Sequence, residues 1–350
     1  MKAEYITVSL DDMDMTVIEK AGEILRRGGL VAFPTETVYG LGGNALDPAA
    51  SGRIYAAKGR PSDNPLIVHI ASLDELPPLV RSIPEQAYLL AGRFWPGPLT
   101  MILEKSDAVP YQTTGGLDTV AVRFPSDPVA RALIRAAKVP VAAPSANISG
   151  RPSPTTALRV KEDVGDTIDM ILDGGPVGLG LESTIVDLTV SPPCVLRPGF
   201  ITGDMLREVL PDIVTGKAPD GHEMTGAPKA PGMKYRHYAP KAPLTVFAGE
   251  REAVVRRICE LAGETAARGK KAGILAGADT LARYPAGAAK CAGDRDKDET
   301  IARSLYELLR EFDEDGVDVI YSESFDTPKL GQAVMNRLLK AAGGRVEHVE

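Results

Sequence analysis

The sequence is short of cysteine and of long apolar runs, and both shortages exclude classes of protein. Its cysteines, Cys194, Cys259 and Cys291, are too few and too widely spaced for a disulfide framework or a CxxC metal site. No apolar stretch approaches the roughly 18 residues that a membrane-spanning helix requires. The acidic N-terminal segment lacks the pattern of a secretory signal. We therefore expect a protein without membrane contact, in a reducing cytoplasm.

The common short motifs of nucleotide, metal and hydrolytic sites are missing as well. The sequence contains no GxxxxGKS/T loop, no GxGxxG turn and no HExxH helix. Its four histidines do not have the spacing of metal ligands, so we expect no metal held by the protein. A net charge of −7 argues against a dedicated nucleic-acid binder, while leaving room for a local basic patch.

The chain is long enough for two domains, each with its own core, because 350 residues exceed the usual size of one domain. Strand-like and helix-like segments mix over residues 1–210, which predicts an α/β domain. Residues 211–243 are rich in proline and glycine and lack apolar periodicity, which predicts a linker. Residues 244–350 again mix both segment types and predict a smaller α/β domain.

Apolar periodicity and capping residues predict the individual elements. In the first block, helices are expected over 16–27 and 128–137, the second one capped by Asp127, and Ser153 is expected to cap a further helix in the same way. Buried strands are predicted at 30–33, 66–70, 99–103, 120–124, 139–143, 168–172 and 184–188. In the second block, strands are predicted at 244–247, 272–276 and 317–321, and helices at 252–267, 300–312 and 330–341.

Two short polar stretches interrupt apolar sequence in the first block. Lys58, Arg60 and Ser62 precede the run 66–70, whereas Ser145 and Asn147 directly follow the run 139–143. Loops at the ends of buried strands are where open α/β sheets hold their ligands. Two fixed cations beside hydroxyl and amide groups suit phosphate recognition. The pattern predicts an enzyme that handles a nucleotide.

Each of these residues also has a simpler interpretation. Lys58 and Arg60 fit a solvated turn, and a lone histidine on a strand, such as His69, is more often a core residue. Ser145 and Asn147 fit an Asx-type turn. The aromatic residues of the linker fit an anchor on a domain surface. No single residue decides between the two interpretations.

Several segments taken together resemble the threonylcarbamoyl-adenylate synthases, the YrdC-like family, and they occur in order along the first block. They are 34–41, 58–61, 64–69, 95–100, 116–123, 144–147, 182–187 and 196–199. The linker stretch 231–240 and the trailing block resemble the long, two-domain branch of that family. The resemblance implies a twisted open α/β sheet with a positively charged groove, followed by a Rossmann-like α/β domain.

The resemblance implies a nucleotidyltransferase that joins L-threonine, bicarbonate or CO2, and ATP into threonylcarbamoyl-AMP and pyrophosphate. A partner enzyme, a tRNA threonylcarbamoyl transferase, then passes the group to the adenosine next to the anticodon of certain tRNAs, so contact with tRNA would be indirect. Mg2+ is expected to travel with the ATP.

The resemblance also implies roles for individual residues. Lys58 and Arg60 would be the catalytic cations that neutralise phosphate and carbamate oxygens. The nucleotide would be bound by Lys58, Ser62, Ser145, Asn147, Ser153, Arg197, Tyr235 and His237. Threonine would be bound by Thr35, His69, Thr119, Arg123, Ala143 and Ser183, with Arg123 facing its carboxylate.

The carbamate and the mixed anhydride both decompose in water, so the site should close during turnover. The linker, residues 211–243, is expected to form the lid, with stacking and charge from Lys234, Tyr235, Arg236, His237 and Tyr238. The second block contains no catalytic constellation. We expect it to hold the linker in place, to report on the state of the first domain, or only to stabilise the chain.

Two other functions fit parts of the sequence. A basic groove would suit an RNA-binding module without catalysis, which should bind with a steep salt dependence. A carbamoyltransferase of the hydrogenase-maturation type contains a similar domain, but proteins of that type carry cysteine-rich zinc segments, which the three isolated cysteines here do not supply.

Overall fold

The computed structural model describes residues 2–215, 230 and 237–350, which form two compact units. The second unit consists of residues 237–350 together with the short segments Gly150–Pro152 and Leu179–Leu181. The other described residues form the first unit. The division proposed from the sequence, at residues 210 and 243, remains a prediction.

The first unit is built on a mixed sheet of eleven strands in the order β1-β8-β2-β3-β7-β4-β6-β5-β9-β10-β11. The strands are β1 (Glu4–Thr7), β2 (Val31–Phe33), β3 (Gly40–Asn44), β4 (Ile67–His69), β5 (Leu99–Glu104), β6 (Thr119–Arg123), β7 (Val141–Ala142), β8 (Met170–Asp173), β9 (Thr184–Asp187), β10 (Cys194–Arg197) and β11 (Val214–Thr215). The helices are α1 (Met15–Arg26), α2 (Pro48–Lys58), α3 (Glu85–Phe94), α4 (Tyr111–Thr114), α5 (Pro128–Ala137), α6 (Ala157–Val164) and α7 (Gly203–Arg207), with 3-10 turns at Leu73–Glu75 and Pro77–Leu79. The expected open α/β sheet is confirmed.

The second unit contains a parallel sheet of five strands in the order β14-β13-β15-β12-β16. Its strands are β12 (Leu244–Gly249), β13 (Ala272–Gly277), β14 (Ala289–Gly293), β15 (Val319–Glu323) and β16 (Val346–Val349). Its helices are α8 (Arg251–Ala267), α9 (Asp298–Glu314) and α10 (Gly331–Ala341), with a 3-10 turn at Leu281–Arg283. Parallel strands connected by helices confirm the Rossmann-like expectation.

Two aspartate–proline pairs open helices in the first unit. The Asp127 carboxylate accepts a hydrogen bond from the Ala130 amide at 2.9 Å, as the sequence predicts for α5. The Asp47 carboxylate accepts one from the Ala49 amide at 2.8 Å and opens α2 in the same way. Apolar periodicity did not predict α2, because its sequence is rich in alanine and has few large apolar residues. The last residue of this helix is Lys58, which belongs to the site described below.

The prediction that Ser153 caps a helix is wrong. The helix that follows, α6, begins at Ala157, and its N-cap is Thr156, which has an extended backbone. The Tyr39 amide donates a hydrogen bond to the Pro154 carbonyl at 3.0 Å. This long-range bond holds the segment around Ser153 out of a helix, so the local proline signal is overridden.

One described residue of the linker lies against the central sheet. Ala230 is fully buried and packs in a cluster with Ile67, Ile102, Ala121 and Ile185. Most of the expected lid, including Tyr235, lies outside the described residues, so the lid remains a prediction. Within the described part of the chain, no helix combines the length and the apolar character needed to cross a membrane.

Candidate active site

Lys58 joins the two polar stretches that the sequence singles out. It is the last residue of α2, and Gly59, with a positive φ of 57°, ends the helix behind it. Lys58 is 1% exposed, and its ammonium donates hydrogen bonds to the carbonyl oxygens of Ser145 and Asn147. The Ser149 amide donates in turn to the Lys58 carbonyl at 2.8 Å. A solvated turn is therefore excluded for Lys58.

The loop that receives Lys58 follows β7. The Ser145 hydroxyl donates to the Asn147 side-chain oxygen at 2.6 Å, and the Asn147 side-chain amide donates to the Ile148 carbonyl at 2.8 Å. Ser145 also forms an isolated antiparallel bridge with Gly40. The side chains of this loop are therefore bonded to each other and to the loop backbone, and the buried Lys58 ammonium contacts the same loop.

Arg60 is buried and closes its own loop. Its Nε donates to the Asn64 carbonyl at 3.2 Å, and its Nη2 donates to the Pro65 carbonyl at 3.0 Å. Ser62 is exposed on the same loop. The guanidinium therefore has a fixed position, and the solvated-turn interpretation is wrong for Arg60 too.

Three polar side chains form a row across the sheet. His69 of β4 pairs with Arg123 of β6, and Arg123 pairs with Thr100 of β5. Directly paired residues project to the same face with Cβ atoms about 4.5–5.5 Å apart. The Thr100 hydroxyl lies 2.7 Å from the Ser183 hydroxyl, which extends the row. Sequence reasoning missed Thr100, although a threonine within an apolar strand was the available signal.

Arg197, which is expected to bind the nucleotide, is hydrogen-bonded to this row. Its Nε donates to the Ser183 carbonyl at 3.1 Å, and its Nη2 donates to the Ser183 hydroxyl at 3.2 Å. Both residues are buried. Ser183, assigned to threonine, and Arg197, assigned to the nucleotide, therefore belong to one hydrogen-bonded network.

Arg123 already has an acidic partner. Its Nη2 lies 2.8 Å from Oε1 of Glu36, and both side chains are largely buried. The neighbouring Thr35 hydroxyl donates to the Val38 carbonyl at 2.7 Å and holds the turn that carries Glu36. Sequence reasoning named Thr35 and missed Glu36, which lies in the same motif. A substrate carboxylate that binds Arg123 has to share it with Glu36 or displace Glu36.

Ser153 forms a further buried hydrogen bond of the site. It is fully buried, and its hydroxyl donates to Oε1 of Glu182 at 2.6 Å. Glu182 immediately precedes Ser183, so this bond connects the segment of Ser153 to the serine of the row. Glu182 is another residue that sequence reasoning left out of the site.

The remaining predicted residues are more scattered. Ala143 is buried, and its amide donates to the Ile67 carbonyl at 2.8 Å. Thr119 lies at the other end of β6 from Arg123, about 13 Å along the strand. The structure therefore does not bring Thr119 together with the row. His237 is buried in the second unit, where its ring packs 5.6 Å from that of Tyr238.

Residues 2–215, 230 and 237–350 contain no group of three or more His, Cys, Asp or Glu side chains that could hold a metal ion. The site is instead rich in fixed cations and neutral donors. Such groups bind and stabilise anionic oxygens and do not require a covalent nucleophile.

His69 is a neutral residue at physiological pH. Burial, with the Arg123 charge adding to it, lowers the pKa of His69 from 6.5 to about 3. Its Nδ1 lies 3.1 Å from the Ile67 carbonyl. Near the ion pair of Arg123 and Glu36, burial raises the pKa of Asp127 to about 6, and the Glu36 carboxylate adds to the rise. His69 can thus contribute a hydrogen bond to a ligand, but not a charge.

The lowered pKa of His69 predicts a loss of stability in acid. Unfolding exposes an imidazole that binds a proton below about pH 6.5, so its contribution is complete above that pH and is lost as the pH falls toward about 3. The slope approaches about 1.4 kcal/mol per pH unit. Urea unfolding of the wild type and of His69→Asn, measured from about pH 5 to about pH 8, should show this component in the wild type only.

Asp127 has the opposite effect on the pH dependence of the free energy of unfolding. Because its pKa is raised in the folded state, it gives stability that is lost as the pH rises through about 6. Since both proteins retain Asp127, the difference between their curves isolates His69. Identical pH dependence of the two proteins would show that the imidazole is not held neutral.

Comparison with known proteins adds independent evidence. The family model described as Telomere recombination (Sua5, YciO and YrdC) matches residues 23–199, and the model described as Threonylcarbamoyl-AMP synthase, C-terminal domain, matches residues 201–343. A threonylcarbamoyl-AMP synthase from Pyrococcus abyssi is 51% identical over 329 residues, which cover 94% of this chain and 95% of that protein. The protein of the same name from Bacillus subtilis is 49% identical over 330 residues, with 94% of each chain covered.

A solved structure agrees along almost the whole chain. The crystal structure of P. abyssi Sua5 complexed with L-threonine superimposes with a TM-score of 0.92 at 50% identity, covering 99% of both chains. Matches of this extent include both units described above. The resemblance noted from the short segments is confirmed, and the chain belongs to the threonylcarbamoyl-AMP synthase family with both of the family's domains.

Proposed function

We propose that this protein is an L-threonylcarbamoyladenylate synthase, which converts L-threonine, bicarbonate or CO2, and ATP into threonylcarbamoyl-AMP and pyrophosphate. The observation that carries the proposal is the convergence of the Lys58 ammonium on the loop of Ser145 and Asn147. It unites the two motifs that suit a nucleotide. Relatives about 50% identical over nearly the full length carry the corresponding name.

The chemistry needs positioning and charge more than a reactive side chain. The amine of threonine adds to CO2 and loses a proton, which gives a carbamate. A carbamate oxygen then forms a bond to the α-phosphorus of ATP, and the bond between that phosphorus and the bridging oxygen of pyrophosphate breaks. Negative charge builds on the phosphate oxygens, where fixed cations have their largest effect.

The buried cations suit that demand. Lys58 and Arg60 are proposed to face the phosphate and carbamate oxygens, since both are held in place by backbone carbonyls before any substrate arrives. Preorganised charges of this kind stabilise a transition state without a cost for reorganisation. Ser62, Ser145, Asn147, Ser153, Arg197, Tyr235 and His237 are proposed to bind the rest of the nucleotide.

The polar row is proposed as the threonine pocket. Arg123 would bind the carboxylate, and Ser183 and neutral His69 would supply hydrogen bonds to the remaining polar groups. Thr35 and Ala143 complete the proposed set, whereas Thr119 is left out because it lies about 13 Å from Arg123 along β6. L-threonine is present in the crystal structure of the P. abyssi relative, which supports threonine as the amino acid.

The remaining assignments follow from the same proposal. Mg2+ would arrive with ATP, held mainly by phosphate oxygens and water, as is usual for this ion. The unstable product would pass to a tRNA threonylcarbamoyl transferase, so that tRNA is reached indirectly. These steps are proposed to occur in the cytoplasm.

Pyrophosphate release tests the reaction. Purified protein is incubated with ATP, Mg2+ and bicarbonate, with and without L-threonine, and the adenylate is identified by its mass. Release that depends on threonine, together with threonylcarbamoyl-AMP, is the expected result. Bound ATP without this product would contradict the proposed substrate, and salt-dependent RNA binding by the same preparation would favour an RNA-binding role.

A further inference from the structure

Two short segments of the chain belong to the second unit although their neighbours in sequence belong to the first. They are Gly150–Pro152 and Leu179–Leu181. Each ends immediately before a residue of the candidate site, the first before Ser153 and the second before Glu182. Ser153 and Glu182 are hydrogen-bonded to each other at 2.6 Å. Whatever fixes the two segments therefore also fixes this pair.

Within the second unit, a buried arginine of α9 holds the first segment. Arg310 is 2% exposed, and its Nη2 donates to the Pro152 carbonyl at 2.6 Å. The Pro152 carbonyl and the Ser153 nitrogen belong to one planar peptide group. A hydrogen bond from a charged donor to that carbonyl therefore fixes the peptide plane from which Ser153 extends.

The second segment packs against the same helix. Gly180 has a positive φ of 82°, and a Cβ placed on it would lie 2.5 Å from Cα of Arg303 and 2.6 Å from the Ala302 carbonyl oxygen. Only a glycine allows this close approach of two backbones. The contact lies two residues before Glu182 in the sequence.

One face of α9 makes both contacts. Arg303, Tyr306 and Arg310 are spaced at i, i+3 and i+7, so they share a face of the helix. Between the two arginines, the Tyr306 ring stacks on the Tyr238 ring, with the ring centroids 5.1 Å apart. Ala239, which follows Tyr238, donates its amide to the Gly150 carbonyl at 2.8 Å. We call Arg303, Tyr306 and Arg310 the α9 face.

We propose that the α9 face is a positioning element of the active site, with Arg310 acting on the nucleotide side through Ser153 and the Gly180 contact acting on the threonine side through Glu182 and Ser183. The proposal rests on the function proposed above. It gives the C-terminal domain a defined role, which is to hold the backbone of the two segments that immediately precede Ser153 and Glu182.

The first test compares buried arginines of the same unit. Arg310→Met removes the donor, Arg310→Lys retains a shorter cationic donor, and Arg337→Met serves as the control. Arg337 of α10 is fully buried like Arg310, but its Nη1 donates to Asn336. In Arg310→Met we expect faster amide exchange in the peptide 149–156 and an ATP Kd raised by about 3- to 30-fold, the range of effects transmitted through neighbouring residues.

The threonine Kd should change less than the ATP Kd in Arg310→Met. Arg310→Lys should recover part of the loss, and Arg337→Met should leave both the exchange of 149–156 and the ATP Kd near the wild-type values. Equal effects of Arg310→Met and Arg337→Met would overturn the proposal, because they would show that a buried arginine serves only the stability of the unit.

The second test compares two glycines with nearly the same positive φ, where an alanine would meet the same backbone strain. Gly180→Ala adds a methyl group where α9 leaves no room, whereas Gly287→Ala has a similar φ of 80° and no neighbour within 4 Å. We expect Gly180→Ala, but not Gly287→Ala, to speed exchange in the peptide 179–186 and to raise the threonine Kd about 3- to 30-fold. Unchanged exchange and affinity in Gly180→Ala would overturn the threonine side of the proposal.

Different results would contradict the positioning role of the α9 face and the proposed enzymatic function. Amide exchange is measured without substrate, so it decides whether the α9 face holds the two segments even if the wild type makes no threonylcarbamoyl-AMP. Absence of that product in the wild type contradicts the proposed function. A normal product in every variant, with wild-type affinities, contradicts the positioning role alone.

Discussion

Replacing Lys58 by alanine is expected to abolish threonine-dependent pyrophosphate release, with turnover reduced by at least about a hundredfold. The ammonium is the buried cation that lies against the loop of Ser145 and Asn147, where the phosphates are proposed to bind. Losing one preorganised donor at a site of developing charge typically costs two to three orders of magnitude in rate. Steady-state turnover at saturating ATP and threonine measures the effect.

Lys105→Ala is the matched control. Lys105 is also buried, and its ammonium donates to the carbonyls of Val109 at 3.0 Å and Ser106 at 3.3 Å. Lys105 follows the last residue of β5, whereas Thr100 lies near the start of that strand, so the two residues are about 17 Å apart along the chain. Both variants should lose stability, because each leaves two carbonyls without their donor, at a cost of about 1–3 kcal/mol.

Lys105→Ala should retain activity despite that loss. Thermal unfolding followed alongside the turnover separates the two effects. Comparable activity in Lys58→Ala and Lys105→Ala would mean that Lys58 only supports its loop, and the assignment of a catalytic cation would have to be withdrawn.

Arg123→Gln is expected to weaken threonine binding by about 10- to 150-fold, since a hydrogen bond to a charged group contributes about 1.5–3 kcal/mol. The ATP Kd should change far less, because Arg123 belongs to the polar row proposed to bind threonine. Titration calorimetry with each ligand separately provides the comparison. A loss of ATP affinity as large as the loss of threonine affinity would contradict the proposed pocket.

The ion pair with Glu36 requires a second variant. Arg123→Gln alone leaves the Glu36 carboxylate buried without its cation, and breaking a buried pair in this way costs about 3–5 kcal/mol of stability. The double variant Glu36→Gln/Arg123→Gln removes both charges and should recover much of the stability. It should not recover threonine binding.

Glu36→Gln alone completes the set. It leaves Arg123 without a competing carboxylate, so threonine should bind at least as tightly as to the wild type. Recovery of threonine affinity in the double variant would show that Arg123 is not the partner of the substrate carboxylate, and that its charge serves the folded structure only.

The sequence predicted the elements whose signals are local. The helix α5 follows from Asp127, Pro128 and an apolar stripe, and the strands β4, β5 and β6 follow from short apolar runs. Capping and periodicity act over a few residues, so they can be recognised without the rest of the fold. The family, too, was recognisable from short segments in order, and the comparisons confirm it.

Local signals failed where distant parts of the chain intervene. Ser153 has the local pattern of a helix cap, but the Tyr39 amide binds the neighbouring Pro154 carbonyl and keeps the segment extended. Thr100, Glu36 and Glu182 looked like ordinary strand or loop residues. Their positions beside Ser183, Arg123 and Ser153 depend on strand pairing and loop packing between distant segments.

By itself, then, the sequence determined the two α/β blocks, the family and the motifs that supply the cations. The tertiary structure alone decided which groups those cations meet: Lys58 contacts two backbone carbonyls, and Arg123 contacts a glutamate. It also revealed Arg310, which belongs to none of the sequence motifs, as the donor to the residue before Ser153. The physical reason is the distance along the chain over which each interaction acts. Helix caps and apolar periodicity act between near neighbours, whereas the site is assembled by strand register and buried hydrogen bonds between residues far apart in the chain.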